Sequence, residues 1–287
     1  MLKLRNIFAV QNLLLAAAFI RENASMNLAI TRHHPGQYRA RVASTCSSSP
    51  SPTIHWMSSR KDIDTAFGPL EYDFSSKLGW DNFYKSDGVD SVFEWHSDAV
   101  SNDDILDELF LRRGKSTNED SSQSHLLIGT GNSLLPRILY DKLDGGATVT
   151  CLDYSLTCIE NLEMVHGVLC PDMKFVHGDA TMLTDIFFDD EKATAGGSNG
   201  LFDTVIDKGL IDALMCSEGW NGPVTNVVQG VPSVLKKGGM FMLISYKLPN
   251  PTKEFIEEIS AGRLEWEFDL PRRSTDRVSF SVARRIE

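Results

Sequence analysis

The sequence predicts an α/β protein in which helices cover both faces of a seven-stranded, mostly parallel sheet that ends in an antiparallel hairpin. Three observations lead to this fold class. Short apolar runs alternate with helical patterns between residues 125 and 245, one apolar run breaks into the turn Gly129-Thr130-Gly131, and residues 263–284 alternate polar and apolar side chains around a turn. Alternating strands and helices are typical of parallel sheets, and a terminal hairpin adds an antiparallel edge.

Composition indicates a globular chain with one sizeable domain, since 42% of its 287 residues are hydrophobic and 23% are charged. Residues 1–60 hold seven Lys and Arg against the single acid Glu22, whereas the remainder holds 21 against 38 Asp and Glu. This excess of acidic residues after residue 60 argues against nucleic-acid binding. It suits a basic protein partner, or it simply keeps the surface solvated. The five cysteines form no CxxC pair and share no ligand spacing with the histidines, which predicts reduced thiols and no metal site.

Residues 1–59 are predicted to be a targeting peptide or a disordered segment. They are rich in Arg and Ser, contain one acid and open with an amphipathic stretch, as mitochondrial and plastid transit peptides do. A secretory signal is the next alternative, and a disordered tail or a true start at Met57 is the plainest one. The apolar stretch Leu13–Ile20 is too short to span a bilayer, so no stable membrane insertion is expected. We therefore expect a mitochondrial protein, with the plastid, or the cytoplasm if the leader is no transit peptide, as alternatives.

Residues 60–115 are predicted to form a helical, aromatic-rich preface to the sheet. Trp80 and Tyr84 are four residues apart, so one turn of helix places them on the same face. A second helix is predicted from Asn102 to Leu111, with its apolar residues on one side. The domain that carries the sheet then spans residues 116–287.

The sheet-bearing domain alternates strands and helices along the chain. Parallel strands are predicted at 125–128, 147–152, 173–176, 201–206 and 240–245. Helices are predicted at 133–143, 155–166, 181–187, 223–235 and 253–259. Ser155 is the predicted N-cap of the second helix, and Pro232 is expected to interrupt the fourth. Arg263–Leu270 and Arg277–Arg284 are the predicted hairpin strands, and Asp189–Gly200 is read as a Gly-rich surface insertion.

Glycines and acids follow the ends of the parallel strands, where α/β proteins bind their ligands. Gly129 and Gly131 allow a tight turn and the close approach of a ligand. Asp153 comes 22 residues after Gly131, where a ribose-binding carboxylate is expected. Asp179 can accept a hydrogen bond from an adenine amine, and a carboxylate near the end of the fourth strand can pair with an α-ammonium. The pattern therefore predicts a ligand with a ribose, an adenine and an amino-acid tail.

Two other nucleotide-binding loops fit this turn less well. Leu134 stands where dinucleotide-binding loops have their third glycine, which disfavours a dehydrogenase. A P-loop is excluded because no Gly-Lys-Ser or Gly-Lys-Thr follows the turn.

Three motifs carry a resemblance to a known family. They are Gly129-Thr130-Gly131-Asn132-Ser133, Cys151-Leu152-Asp153-Tyr154-Ser155 and Asp207-Lys208-Gly209-Leu210-Ile211-Asp212-Ala213-Leu214. Together they resemble the Rossmann-like, seven-strand S-adenosylmethionine-dependent methyltransferases. More specifically, they resemble the protein-lysine methyltransferase branch that modifies translation elongation factor 1A and mitochondrial citrate synthase. The resemblance covers about Gly79 to Arg285, including the aromatic preface and the final hairpin.

The resemblance implies S-adenosylmethionine as the cofactor, and it assigns site residues by position. They are Trp80, Tyr84 and Trp95 as an aromatic cover, Gly129, Gly131 and Asn132 in the loop by the methionine tail, Asp153 and Tyr154 at the ribose, Asp179 and Ala180 beside the adenine, and Lys208 by the tail. Asp207 is the nearest candidate for a catalytic contact with the tail or the incoming amine. This chain departs from the family at His96, where a Phe is usual, and at Pro232, which falls in a predicted helix.

The resemblance further implies that a protein substrate bearing an acceptor lysine receives the methyl group. Methylation of a small molecule and a non-catalytic binding protein that keeps the cofactor fold are the alternatives, because a fold alone does not name the acceptor. Each site residue also has a plainer structural explanation. Asp153 could cap a helix, Asp179 could belong to a turn, the aromatic residues could pack a core and Lys208 could form a salt bridge.

Overall fold

A computed structural model of the protein describes residues 73–286 apart from 75, 90, 98, 113–122, 144–146, 189–199, 272 and 276. The predicted targeting peptide lies outside the described residues, as does the Gly-rich insertion except for Gly200. The described part of the aromatic preface belongs to the same compact unit as the sheet. None of the described helices combines the length and the apolar character that a membrane span requires.

One seven-stranded sheet forms the centre of the molecule. Its strands are β1 Gln123–Ile128, β2 Ala147–Asp153, β3 Lys174–His177, β4 Phe202–Lys208, β5 Leu235–Tyr246, β6 Leu264–Glu267 and β7 Val278–Arg285. The spatial order is β3-β2-β1-β4-β5-β7-β6, in which the first five strands are parallel and β7 runs antiparallel to both β5 and β6. The predicted fold class, a mostly parallel Rossmann-like sheet with a terminal hairpin, is therefore confirmed.

The register of the central strands brings the ends of β1, β2 and β4 to one level. Ile128 pairs with Leu152 on one side and with Asp207 on the other. The strand order reverses between β1 and β4, because β2 and β3 lie on one side of β1 and the later strands lie on the other. Such a switch point leaves a crevice beyond the carboxyl ends of the strands.

Eight α-helices are described, and most of them lie close to the predicted positions. They are α1 Lys77–Asp87, α2 Asn102–Arg112, α3 Leu135–Lys142, α4 Leu156–His166, α5 Leu183–Phe187, α6 Leu210–Met215, α7 Asn221–Val234 and α8 Asn250–Ile259. Ser155 is the N-cap of α4, as predicted, and its hydroxyl accepts a hydrogen bond from the amide of Cys158. The same hydroxyl donates to Asp81 at 2.5 Å, which ties α1 of the preface to α4.

The structure differs from the prediction at three elements. The predicted break at Pro232 is wrong, because α7 continues through that residue to Val234. The fifth strand begins at Leu235 and not at Met240, so Lys237-Gly238-Gly239 belongs to β5, where Gly238 takes a left-handed φ of 72°. The short helix α6 was not predicted, and it follows β4 directly after Gly209.

The core lies between the sheet and its covering helices. Residues of β4 and β5 that read as apolar runs are fully buried, and Phe241 of β5 and Phe280 of β7 are among the largest side chains with no exposure. Burial on both faces explains why these strands read as continuous apolar sequence. A polar contact also joins the preface to the hairpin, since Arg273 of the hairpin turn pairs with Asp104 of α2 at 2.8 Å.

Candidate functional site

An open cavity of about 1150 Å³, counting its mouth, lies beyond the carboxyl ends of the central strands. All eleven residues that the resemblance assigns to cofactor binding line it: Trp80, Tyr84, Trp95, Gly129, Gly131, Asn132, Asp153, Tyr154, Asp179, Ala180 and Lys208. These residues come from the preface and from the ends of four strands, over a span of more than 120 positions. The structure thus brings the predicted set together around one space, and their individual binding roles remain predictions.

The turn after β1 needs its two glycines for conformation and for space. Gly129 and Gly131 both have a φ of +58°, in the left-handed region that a side chain rarely adopts. A Cβ on Gly131 would lie 3.1 Å from the hydroxyl oxygen of Tyr84, and one on Gly129 would lie 2.9 Å from the Cβ of Leu210. The absent side chains keep this wall of the cavity within reach of a ligand.

Asn132 fixes the same loop to the preface. Its Nδ2 donates to the hydroxyl of Ser91 at 2.9 Å and to the Ser91 carbonyl at 3.2 Å. Its amide therefore anchors the loop while the residue lines the cavity.

Asp153 at the end of β2 is 4% exposed, and its two oxygens are used by the backbone. Oδ2 accepts from the Gly131 amide and Oδ1 from the Ser155 amide, both at 2.9 Å. Burial raises the pKa of this carboxyl to about 6, although the two backbone donors oppose the shift. Each carboxylate oxygen can accept two hydrogen bonds, so each keeps one for a ligand hydroxyl. Asp153 therefore both shapes the glycine loop and fits the predicted ribose contact.

Asp179 and Ala180 lie at the end of the cavity beyond β3. The Oδ1 of Asp179 accepts from the amide and from the hydroxyl of Thr181, at 2.9 and 2.8 Å. Asp179 therefore caps the short 3₁₀ turn Ala180–Met182, which agrees with the plainer explanation of a turn residue, and it also lines the cavity. Its Oδ2 has no role in these two contacts and can accept from an adenine amine.

Aromatic side chains of the preface form one wall of the cavity. Trp80 stacks on Tyr84 with ring centroids 5.9 Å apart, and it lies 5.8 Å from Trp95. Phe74 and Phe93 complete the part of the wall that faces the cavity. The cluster is a packed unit, as the plainer explanation holds, and one side of it is open to the cavity. An aromatic surface of this kind attracts a cationic group such as a sulfonium or an ammonium.

Trp95 packs directly on the turn after β4. Gly209 has a φ of +89°, and a Cβ there would lie 2.5 Å from Cδ1 of Trp95. Only a glycine allows the indole to rest on this backbone, which lines the cavity beside Lys208.

Lys208 forms a salt bridge with Glu94, which belongs to the preface covered by the resemblance but was assigned no role from the sequence. Its Nζ donates to Oε2 of Glu94 at 2.5 Å, and the Lys208 side chain is 9% exposed. Lys208 therefore forms a salt bridge, as the plainer explanation predicts, and also lines the cavity, as the resemblance predicts.

Asp207, the predicted catalytic residue, does not line the cavity. It is fully buried, and its carboxylate accepts from the amides of Leu210 at 2.7 Å and Ile211 at 3.1 Å. Burial, together with the charge of Asp212, raises its pKa to about 8. The geometry gives Asp207 the role of capping the first turn of α6, beneath the cavity floor, and does not support a contact with the reacting groups.

The raised pKa of Asp207 has a consequence for stability. The folded protein keeps the proton up to about pH 8, whereas the unfolded chain releases it near pH 4, so the free energy of unfolding falls as pH rises between these values. We expect Asp207→Asn to remove this slope, so that between pH 6 and pH 8 its free energy of unfolding falls by about 2 kcal/mol less than that of the wild type. Urea unfolding at several pH values measures it, with the exposed Asp141→Asn as control. A parallel pH dependence in wild type and Asp207→Asn would contradict the assignment.

Two further residues of the preface hold Trp95 in place and were not predicted as functional. Glu94 precedes it, and His96 follows it with a left-handed φ of 67°. The buried His96 contacts Asp212 of α6 through Nε2 at 2.8 Å, and both Asp212 oxygens also accept from the Tyr246 amide. The one sequence signal was the departure from Phe at position 96, because a buried imidazole needs a polar partner where a Phe does not.

The residues present fit a nucleoside ligand with an amino-acid tail. The glycine cradle would be filled by any Cβ, the carboxylates of Asp153 and Asp179 keep acceptor capacity, and Lys208 supplies a cation. Within the described part of the chain, no group of three or more His, Cys, Asp or Glu residues could hold a metal ion.

Comparison with known proteins supports the same interpretation. No protein-family model matches the chain. An eEF1A lysine and N-terminal methyltransferase of Danio rerio is 28% identical over 190 residues, which are 66% of this chain and 24% of that protein. EEF1A lysine methyltransferase 4 of Mus musculus is 26% identical over 195 residues, which are 65% of this chain and 66% of that protein. These matches confirm the resemblance drawn from the three motifs.

The chain spans about a quarter of the length of the first of these relatives. Among solved structures, a putative S-adenosyl-L-methionine-dependent methyltransferase of Methanococcus maripaludis aligns with a TM-score of 0.49 and 15% identity. The alignment covers 76% of this chain and 97% of that one.

Proposed function

We propose that this protein is an S-adenosylmethionine-dependent methyltransferase that acts on a lysine side chain of a protein substrate. The observation that carries the proposal is the convergence of the eleven predicted cofactor residues around one cavity at the strand ends. The sequence relatives support it, because those named above are methyltransferases for elongation factor 1A. The relative matched over 66% of its length is named for lysine methylation alone, which favours a lysine over an N-terminal amine as the acceptor.

The lining of the cavity contains two chemically different groups of residues. Asp153, Tyr154 and Asp179 form a polar group, which suits the adenosine part of the cofactor. The other group belongs to α6 and to the segment that follows it: Leu210, Ala213, Leu214, Ser217 and Pro223. Leu210, Ala213 and Leu214 are three and four residues apart, so they share one face of α6. We assign this second group to the aliphatic stem of the acceptor lysine.

The chain's own residues need to position the reactants and to exclude water. When bound, S-adenosylmethionine supplies a methyl group that its sulfonium already activates. Trp80, Phe93 and Trp95 line the cavity as a packed apolar surface, which would exclude water from the bound reactants. Desolvation against this wall lowers the pKa of an incoming ammonium, so that the amine is presented in its neutral, nucleophilic form. In-line placement is then the main contribution of the protein.

Methyl transfer from labelled S-adenosylmethionine tests the proposal. The full chain is incubated with purified elongation factor 1A, with mitochondrial lysate or with cytosolic lysate, and labelled proteins are mapped by mass spectrometry. We expect label on a lysine side chain. Because residues 1–59 have the composition of a transit peptide, we also propose a mitochondrial location and expect the mitochondrial lysate to hold the better substrate.

Each alternative predicts a different outcome of the same experiment. Label confined to small molecules would contradict a protein substrate, and label on an N-terminal α-amine would contradict lysine as the acceptor. Binding of the cofactor without transfer to any fraction would favour a non-catalytic binding protein. Asp153→Ala, which is expected to lose the cofactor, serves as the background control.

A further inference from the structure

Glu94 is the meeting point of four hydrogen bonds from three other segments of the chain. Oε1 accepts from the side-chain amide of Asn102 at the start of α2 and from the backbone amide of Leu134, each at 2.8 Å. Oε2 accepts from the hydroxyl of Ser133 at 2.9 Å and from Nζ of Lys208 at 2.5 Å. A carboxylate that receives four donors is held in one orientation.

The pair of Glu94 and Lys208 is sheltered from water. The two side chains are 20% and 9% exposed. Burial lowers the pKa of Lys208, and the charge of Glu94 opposes that shift. Burial alone would raise the pKa of Glu94, but Lys208 and the other donors bring it below its ordinary value. Glu94 therefore helps to keep the Lys208 ammonium charged in a place that disfavours charge.

Only one member of this pair faces the cavity. Lys208 and Ser133 line it, whereas Glu94 lies behind them. An ammonium group has three N–H donors, of which Glu94 takes one. The remaining donors can bind an anionic ligand group, and the α-carboxylate is the anionic group of the amino-acid tail.

We propose that Glu94 is a positioning residue that makes the site selective for ligands with an amino-acid tail, through its control of the charge and direction of Lys208. The proposal rests on the cofactor of the proposed function. Glu94 itself does not touch the ligand. Its loss should weaken ligands that carry an α-carboxylate, and it should leave the binding of the bare nucleoside part unchanged.

Two ligands separate these parts. S-adenosylhomocysteine contains adenosine, a thioether and the amino-acid tail, and 5′-methylthioadenosine has the adenosine and thioether without the amino and carboxyl groups. We measure the affinities of both by calorimetric titration of the full chain in the wild type and in Glu94→Gln. We expect Glu94→Gln to weaken S-adenosylhomocysteine about tenfold, or about 1.4 kcal/mol, and to change 5′-methylthioadenosine less than twofold.

A double-mutant cycle shows whether Glu94 acts through Lys208. Lys208→Met should weaken S-adenosylhomocysteine at least as much as Glu94→Gln does, and adding Glu94→Gln to Lys208→Met should cost nothing more. Glu108→Gln is the matched control, because Glu108 is a buried carboxylate that pairs with Arg112 away from the cavity. Thermal unfolding of each ligand-free variant checks its fold. Asn102→Ala, which removes one of the four donors, replaces Glu94→Gln if that variant does not fold, and a smaller loss in the same direction is expected.

The outcomes distinguish this proposal from the proposed function. Equal weakening of both ligands by Glu94→Gln would reduce Glu94 to a structural residue, and additive losses in the double variant would show that it does not act through Lys208. Either result overturns the proposal while the cofactor assignment stands. A wild type that binds neither ligand would overturn the cofactor assignment, and the role of Glu94 with it.

Discussion

Asp153→Ala is expected to weaken S-adenosylmethionine binding at least about a hundredfold. The substitution removes the carboxylate that fits the ribose hydroxyls, and hydrogen bonds to a charged group contribute about 1.5–3 kcal/mol each. It also leaves the amides of Gly131 and Ser155 without their acceptor, so the glycine loop loses its shape. Calorimetric titration measures the affinity, and thermal unfolding without ligand measures the separate loss of stability.

Asp153→Asn is the conservative partner of that variant. It keeps the size of the side chain, but one acceptor oxygen becomes a donor that faces a backbone amide or a ribose hydroxyl. We expect a loss of affinity between those of the wild type and Asp153→Ala. Because burial raises the pKa of Asp153 to about 6, the wild-type affinity should also fall as pH drops through that value, whereas that of Asp153→Asn should not. Unchanged affinity in Asp153→Ala would remove this residue from the ribose site.

Gly209→Ala is expected to displace Trp95 and to destabilise the protein by about 2–5 kcal/mol. A left-handed φ costs a residue with a side chain about 1–2 kcal/mol, and a new methyl group in a packed site costs about 1–3 kcal/mol more. Here the methyl group would stand 2.5 Å from Cδ1 of Trp95 and 2.8 Å from its Nε1. Displacement of the indole opens the aromatic wall, so we expect weaker binding of S-adenosylhomocysteine as well. Urea unfolding and calorimetric titration measure the two effects.

Gly219→Ala separates strain from collision. Gly219 also has a left-handed φ, of +73°, but a Cβ there would meet nothing within 4 Å. We expect the free energy of unfolding of this variant to fall by only the cost of the left-handed conformation, about 1–2 kcal/mol. Its affinity for S-adenosylhomocysteine should equal that of the wild type. If Gly209→Ala behaved like Gly219→Ala in both measurements, the packing of Trp95 on Gly209 would not matter to the site.

The sequence predicted the sheet well because its buried strands read as apolar runs. The end of β1 at Ile128 and the N-cap Ser155 agree with the prediction, since both depend on local chemistry. The prediction failed where the fold overrides local preference. Pro232 stays within α7 because the surrounding burial outweighs one missing hydrogen bond. Gly238-Gly239 lies in an irregularity of β5 between two residues that pair with β4, since Leu235 pairs with Phe202 and Met240 with Thr204.

The site was predictable to the extent that its residues follow strand ends. Asp153, Asp179 and Lys208 occupy such positions, so topology alone brings them to one edge of the sheet. Asp207 occupies one too, but adjacent residues of a strand point to opposite sides, and the neighbour of Lys208 turns into the protein. Glu94 belongs to the preface that the resemblance covers, but its role could not be predicted, because its partner Lys208 lies 114 positions away.

The two contacts that flank Trp95 also bear on the order in which the protein folds. Glu94 meets Lys208 across 114 residues and His96 meets Asp212 across 116, and no strand pairing joins this part of the preface to the sheet. Closing so long a loop carries an entropic penalty, so we expect these two contacts to form after β4 and α6 are in place. We therefore expect the aromatic wall to reach its position beside β4 late in folding. In that order, a chain that has formed its central strands would have the glycine turn and Asp153 before it has the aromatic wall of the cavity.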